Sequence, residues 1–130
     1  MTSKDAEKVL PLEAMANPRI TLLVVEDSMD MAQKYRREVA GQFPVIVARG
    51  AADARAQLCV GTAITHVIVD GLHGDWLDVV HQVQEINSQL DHKIEVIVVS
   101  GATNIRDQVQ AYGVRFVSKL NRPNVTAILR

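Results

Sequence analysis

Several features that would narrow the function are missing from this chain of 130 residues. Cys59 is the only cysteine, so no disulfide can form within the chain and no Cys-rich metal site exists. The lone thiol is expected to be packed. No excess of one charge is present either: the formal net charge is −1 and no block of like charges occurs. A chain without a basic field or tail is not expected to bind nucleic acid directly. The longest apolar runs are of strand length, well short of the roughly 20 residues a membrane helix needs. The N-terminus also lacks the basic-then-apolar order of a signal peptide, so a cytoplasmic location and no membrane partner are expected. Internal repeats and low-complexity tracts are absent.

What remains, with 48% hydrophobic residues, suits one compact domain able to bury most of its apolar surface. Residues 1–18 are polar, carry Pro11 and Pro18, and read as a flexible N-terminal extension; the domain is expected over 19–130. From there short β-branched runs alternate with longer segments of helical spacing, the mark of parallel strands joined by crossover helices. The strands are expected at Ile20–Val25, Pro44–Ala48, His66–Val69, Ile94–Val99 and Val114–Val117. Between the first two, Met31, Tyr35 and Val39 recur every four residues in a helix that Ser28 could cap and Gly41 could end. An Ala-rich helix spans Ala51–Leu58, and Trp76, Val79, Val80, Val83, Ile86 and Leu90 trace one face of a third. A short helix near Ile105–Tyr112 follows, and Pro123 could open a last one. The fold class is therefore α/β: a five-stranded parallel sheet with helices on both faces. Ligands of such sheets bind at the carboxyl ends of the strands.

Those ends carry the chemistry. Glu26 and Asp27 follow the first strand, Asp70 the third, Ser100 the fourth and Lys119 the fifth. Singly, each could be a helix cap or turn former. Together they are harder to dismiss, because carboxylates crowded at one partly dehydrated rim either take up protons or recruit a cation. Hard oxygen ligands favour Mg²⁺, which uses one or two carboxylates plus phosphate oxygens and keeps several waters. A lysine and a hydroxyl nearby supply the point charge and donor that a phosphoryl group needs. Asp70, on the middle strand, is the natural nucleophile.

The segments LLVVEDS, VIVDG, VIVVSG and RFVSK, in this order, resemble the strands of a response-regulator receiver domain of two-component signalling, over residues 19–130. The intervals agree: 70 − 27 is 43, 100 − 70 is 30 and 119 − 100 is 19. The resemblance implies a flavodoxin-like (βα)5 fold with strand order 2-1-3-4-5. It implies that Asp70 accepts a phosphoryl group from a sensor histidine kinase or phosphotransfer protein, with Glu26, Asp27, Asp70 and the backbone carbonyl of Leu72 around Mg²⁺. Ser100 and Lys119 would contact the phosphoryl oxygens, and Ser100 with Phe116 would form a conformational switch. The protein would be a stand-alone signalling domain rather than an enzyme acting on free substrates, working through a downstream protein target, with homodimerisation a further expectation.

Several positions depart from that pattern. The run DGLHGDWLD has no proline after Asp70, and Leu72 stands where a polar side chain often influences hydrolysis, so a persistent phosphoryl group is expected. Leu120 follows Lys119 where the family places proline. A trans bond there, with a shifted lysine, is the expectation, since a non-proline cis bond costs about 2.5–4 kcal/mol. His73 has no second soft ligand at suitable spacing, and Asp75 is better explained as a turn or cap residue. Phe116 could equally be an ordinary core aromatic, and Ser100 could merely satisfy a turn. The alternative function is a receiver-like interaction module that acts without phosphorylation. An aspartate-nucleophile phosphatase is disfavoured by Leu72, where such enzymes place a second acid.

Overall fold

The structure, a computed structural model, describes residues 19–60, 63–70, 75–89 and 93–129. Five strands, β1 (Leu22–Val25), β2 (Val45–Ala48), β3 (His66–Asp70), β4 (Glu95–Ser100) and β5 (Arg115–Ser118), form one parallel sheet in the order 2-1-3-4-5. Among the described residues, five α-helices follow them: α1 (Met29–Val39), α2 (Ala51–Cys59), α3 (Asp75–Asn87), α4 (Arg106–Ala111) and α5 (Val125–Ile128). This is the architecture expected from the sequence. The extension 1–18, the segment 71–74 with Leu72 and His73, and Leu90 lie outside the described residues.

Strand parity sorts the core into two layers, because successive side chains of a strand face opposite ways. Leu23, Val25, Val67, Val69, Val96 and Val98 pack with Ala54 of α2, with Trp76, Val79, Val80 and Val83 of α3, and with Val109 of α4. Leu22, Val24, Ile68, Ile97 and Val99 pack on the other face with Tyr35 and Val39 of α1 and with Val125 and Ile128 of α5. Both faces of the sheet are thus dry, which is why its strands read as unbroken apolar runs.

Local chemistry sets the ends of the elements. Ser28 caps α1, its hydroxyl accepting the Met31 N–H at 3.3 Å. The helix ends at Ala40 in the left-handed region (φ 49°), ahead of Gly41 at φ 78°, where the absent side chain makes the turn easy. Pro123 lies outside α5, and Asn124 is its cap, accepting the Thr126 N–H. Cys59 is exposed, contrary to expectation. In α2 only Ala54 is fully buried, and a residue five positions on points well away from that face. No helix among the described residues is long and apolar enough to cross a membrane.

Candidate phosphoacceptor site

Asp70 closes β3, hydrogen-bonded between β1 and β4, and is 2% exposed. It shares the parity of Ile68, so its carboxylate leaves the sheet on the side of α1 and α5. There the Tyr35 hydroxyl, from the middle of α1, donates to Asp70 Oδ2 at 2.9 Å. On the other oxygen, Lys119 Nζ lies 2.5 Å from Oδ1. That ammonium is the charge partner of Oδ1.

Lys119 is therefore not shifted, and the expectation drawn from Leu120 is corrected. No cis peptide bond occurs among the described residues, as expected, yet the lysine is aimed by other means. Ser118 Oγ accepts the Leu120 N–H at 3.3 Å and caps a 3-10 turn over Lys119–Asn121. This side-chain-to-backbone bond turns the chain immediately after β5 without proline. Its consequence is a Leu120 side chain left 83% exposed at the rim.

Glu26 is buried beside Asp70, while Asp27 is exposed. One Glu26 oxygen, Oε2, accepts the Ser28 N–H at 2.9 Å; the other, Oε1, is buried with no partner. Burial, together with the charge of Asp70, pushes the Glu26 carboxyl up to about 7, against the pull of the Ser28 N–H. This acidic crowding is the condition the sequence suggested. Among the described residues no three acidic, histidine or cysteine side chains form a ready metal cage. Magnesium needs none, since one or two carboxylates suffice when water and phosphate complete the shell. An orphaned buried carboxylate oxygen next to a second carboxylate fits such an ion.

Ser100 is buried at the end of β4, paired in register with Ser118 of β5. Its Oγ accepts the Ala102 N–H at 3.0 Å, so it does satisfy a turn, while its own proton remains available to donate. Phe116 is half-buried against the α2–α4 layer, with the Arg106 guanidinium 5.3 Å above its ring.

Two neighbours of the site were not anticipated. The Arg122 guanidinium lies 4.9 Å above the Tyr35 ring and forks onto Glu38, Nη1 to Oε1 at 2.9 Å and Nη2 to Oε2 at 2.5 Å. Glu38 Oε1 also accepts the Val125 N–H at 2.9 Å, binding α1 to the start of α5. Burial alone would raise Glu38, but the Arg122 fork, the Val125 N–H and the Arg122 charge outweigh it and hold the carboxyl below its ordinary value. Tyr35 is displaced upward, by burial first and then by the Asp70 charge, and stays protonated.

Comparison with known proteins agrees with this fold. No protein-family model matches the sequence. The receiver protein of Pseudomonas putida superposes with a TM-score of 0.67 at 24% identity, over 85% of this chain and 93% of that one. The chemotaxis response regulator CheY4 of Vibrio cholerae gives 0.69 at 17% identity, over 85% and 96%. The receiver domain of Saccharomyces cerevisiae Ssk1, solved in complex with the histidine phosphotransfer protein Ypd1, gives 0.69 at 13%, over 86% and 84%. By sequence, an inosine-5'-monophosphate dehydrogenase of Rhodopirellula baltica is 26% identical over 149 aligned positions. This chain spans only 27% of that protein's length, so the match does not carry the whole protein's activity.

Proposed function

We propose that this chain, which has the fold of response-regulator receiver domains, takes a phosphoryl group on Asp70 from a histidine kinase or phosphotransfer protein and signals through protein contacts. The observation that carries the reading is the buried Asp70 carboxylate at the end of a central strand, with the Lys119 ammonium on one oxygen and a crowded Glu26, its Oε1 without a partner, beside it. A carboxylate kept in such surroundings is held at a cost in stability, and a phosphoacceptor role gives that cost a purpose.

In the transfer, Asp70 Oδ1 attacks phosphorus and the bond to the donor nitrogen breaks, leaving its electron pair on the imidazole. Lys119 then pairs with a phosphoryl oxygen, and Ser100 offers its hydroxyl proton to another. Magnesium, held by Glu26, Asp27, Asp70 and the Leu72 carbonyl, would neutralise charge on the transferring group. The chemistry stays on this chain's own aspartate, so the protein is a signalling domain rather than an enzyme for free substrates. Met29, the first residue of α1, and Leu120 are both exposed next to site residues. Apolar side chains in these positions suit docking of a phosphotransfer partner like the one bound to Ssk1.

The test is intact-mass measurement after incubation with Mg²⁺ and acetyl phosphate. A single phosphoryl increment that disappears in Asp70→Asn is expected. A wild-type protein that gains none, while binding a partner equally well with and without Asp70, would leave the interaction module as the function.

A further inference from the structure

Tyr35 is fully buried in the α1/α5 layer, and its hydroxyl reaches through that layer to Asp70 Oδ2. Its ring is held from behind by Arg122, itself fixed by the fork onto Glu38. The two oxygens of Asp70 are therefore unequal. Oδ2 points at a buried phenol, whereas Oδ1 points at Lys119, a side chain 40% exposed that marks the side open to a phosphoryl donor.

Resting on the reading that Asp70 is a phosphoacceptor, we propose that Tyr35 sets the lifetime of the aspartyl phosphate: its hydroxyl stabilises the carboxylate that departs when the phosphoryl group is hydrolysed. While Oδ1 carries phosphorus, Oδ2 is the carbonyl oxygen of an uncharged acyl group, and the phenol makes an ordinary hydrogen bond to it. In hydrolysis a water oxygen attacks phosphorus, the P–Oδ1 bond breaks, and its electron pair returns to the carboxylate. The water supplies the new P–O bond of inorganic phosphate, and its proton passes to solvent. Negative charge grows on Oδ2 as the bond breaks, and a hydrogen bond to an ionised acceptor is roughly twice as strong as one to a neutral acceptor. The Tyr35 bond thus strengthens toward the transition state, which is the condition for accelerating a step. A donor to a full oxyanion contributes about 10²–10³ in rate. For the shared charge of a leaving carboxylate, a factor of about ten is expected on the same grounds.

The experiment measures decay of the phosphorylated protein, loaded with acetyl phosphate and Mg²⁺ and then desalted, by intact mass. Tyr35→Phe keeps the ring and its contact with Arg122 and removes only the donor. Its phosphoryl group is expected to persist about tenfold longer, although its melting temperature falls. A merely structural tyrosine predicts otherwise, since a slackened site would load poorly and hydrolyse no more slowly. Should the Phe variant fail to fold, Arg122→Lys decides the matter: it leaves the hydroxyl but loosens the fork that holds the ring, and slower decay is again expected. Wild type that never loads overturns the phosphoacceptor reading and this one with it. Loading that is normal, followed by decay as fast as wild type in the variant, overturns the role of Tyr35 alone.

Discussion

The substitution Glu38→Gln isolates the one strongly buried ion pair among the described residues. The Arg122 side chain is 6% exposed and that of Glu38 15%, and the pair is bidentate, so it is not a surface salt bridge worth a few tenths of a kcal/mol. The substituted amide would keep one oxygen for either an Arg122 donor or the Val125 N–H, but its nitrogen would face the second guanidinium donor. Removing one partner of a buried pair costs about 3–5 kcal/mol, chiefly because the other charge stays buried and uncompensated. The retained amide oxygen recovers part of this, which puts the loss at about 3 kcal/mol and the fall in melting temperature at about 10 °C for a domain of this size. Thermal and urea unfolding followed by circular dichroism at pH 7 measures it. The pair also fixes a pH dependence. Glu38 has a lowered folded pKa, so its contribution is present above the unfolded value of 4.5 and lost as pH falls through the folded one. The difference between wild type and the Gln variant should therefore shrink in acid. Replacing both partners, Glu38→Leu with Arg122→Met, removes both desolvation costs and is expected to recover most of the stability. A single variant that melts within about 2 °C of wild type would refute the claim that this fork anchors α5 to α1.

Other consequences are open to similar measurement. Glu26 has a raised folded pKa, so its own contribution to stability is fully present below 4.5 and is lost as pH rises through about 7; Glu26→Gln is expected to stabilise the metal-free protein at pH 8 by about 1–3 kcal/mol and to abolish stabilisation by Mg²⁺. His66 is lowered by burial, which with the Arg115 charge outweighs the attraction of Glu95. Its unfolded form takes the proton first, so stability should decline as pH drops below 6.5, and His66→Gln should flatten that slope in urea titrations. Asp70→Asn relieves Glu26 of a neighbouring charge and keeps an amide oxygen to accept the Tyr35 hydroxyl, at the loss of the charge on that bond and of an ion pair with a partly exposed lysine, so it is expected to raise the melting temperature by several degrees. Leu72→Asn, which puts a polar side chain two residues after the acceptor, is expected to shorten the phosphoryl lifetime, read by the same mass assay.

The strands were legible because both faces of the sheet are covered, which leaves runs such as Leu22–Val25 and Val96–Val99 apolar throughout. Their polar ends stood out against those runs, and Asp70 and Lys119 do meet. The aim of Lys119 is not legible from the missing proline, because the turn is made by Ser118, through its hydroxyl. Tyr35 is hidden in the sequence for another reason. Its spacing with Met31 and Val39 marks it as core, which is correct but incomplete, since a buried tyrosine hydroxyl must find a partner. Here that partner lies at the acidic end of the sheet. The fork between Glu38 and Arg122 joins residues 84 apart in sequence, and neither α1 periodicity nor the motif of β5 bears any trace of it.

Parity also decides which way the molecule can yield when charge changes at Asp70. The carboxylate enters the α1/α5 layer with Ile68, where Tyr35 is backed by a nearly dry fork tied into the α5 backbone. Ser100 shares the parity of Val96 and Val98, on the side of α2–α4, where Phe116 also packs. What holds Phe116 from outside is Arg106, an exposed residue whose cation–π contact is worth about 0.5–1 kcal/mol. Against about 3–5 kcal/mol for breaking the buried fork, that is the weaker restraint. An added phosphoryl group that draws on the Ser100 hydroxyl is therefore expected to displace Phe116 and Arg106 well before it disturbs Arg122. The α1/α5 layer then acts as the fixed wall that keeps Tyr35 in place, and the short α4 with β5 is the side on which a partner would read the change.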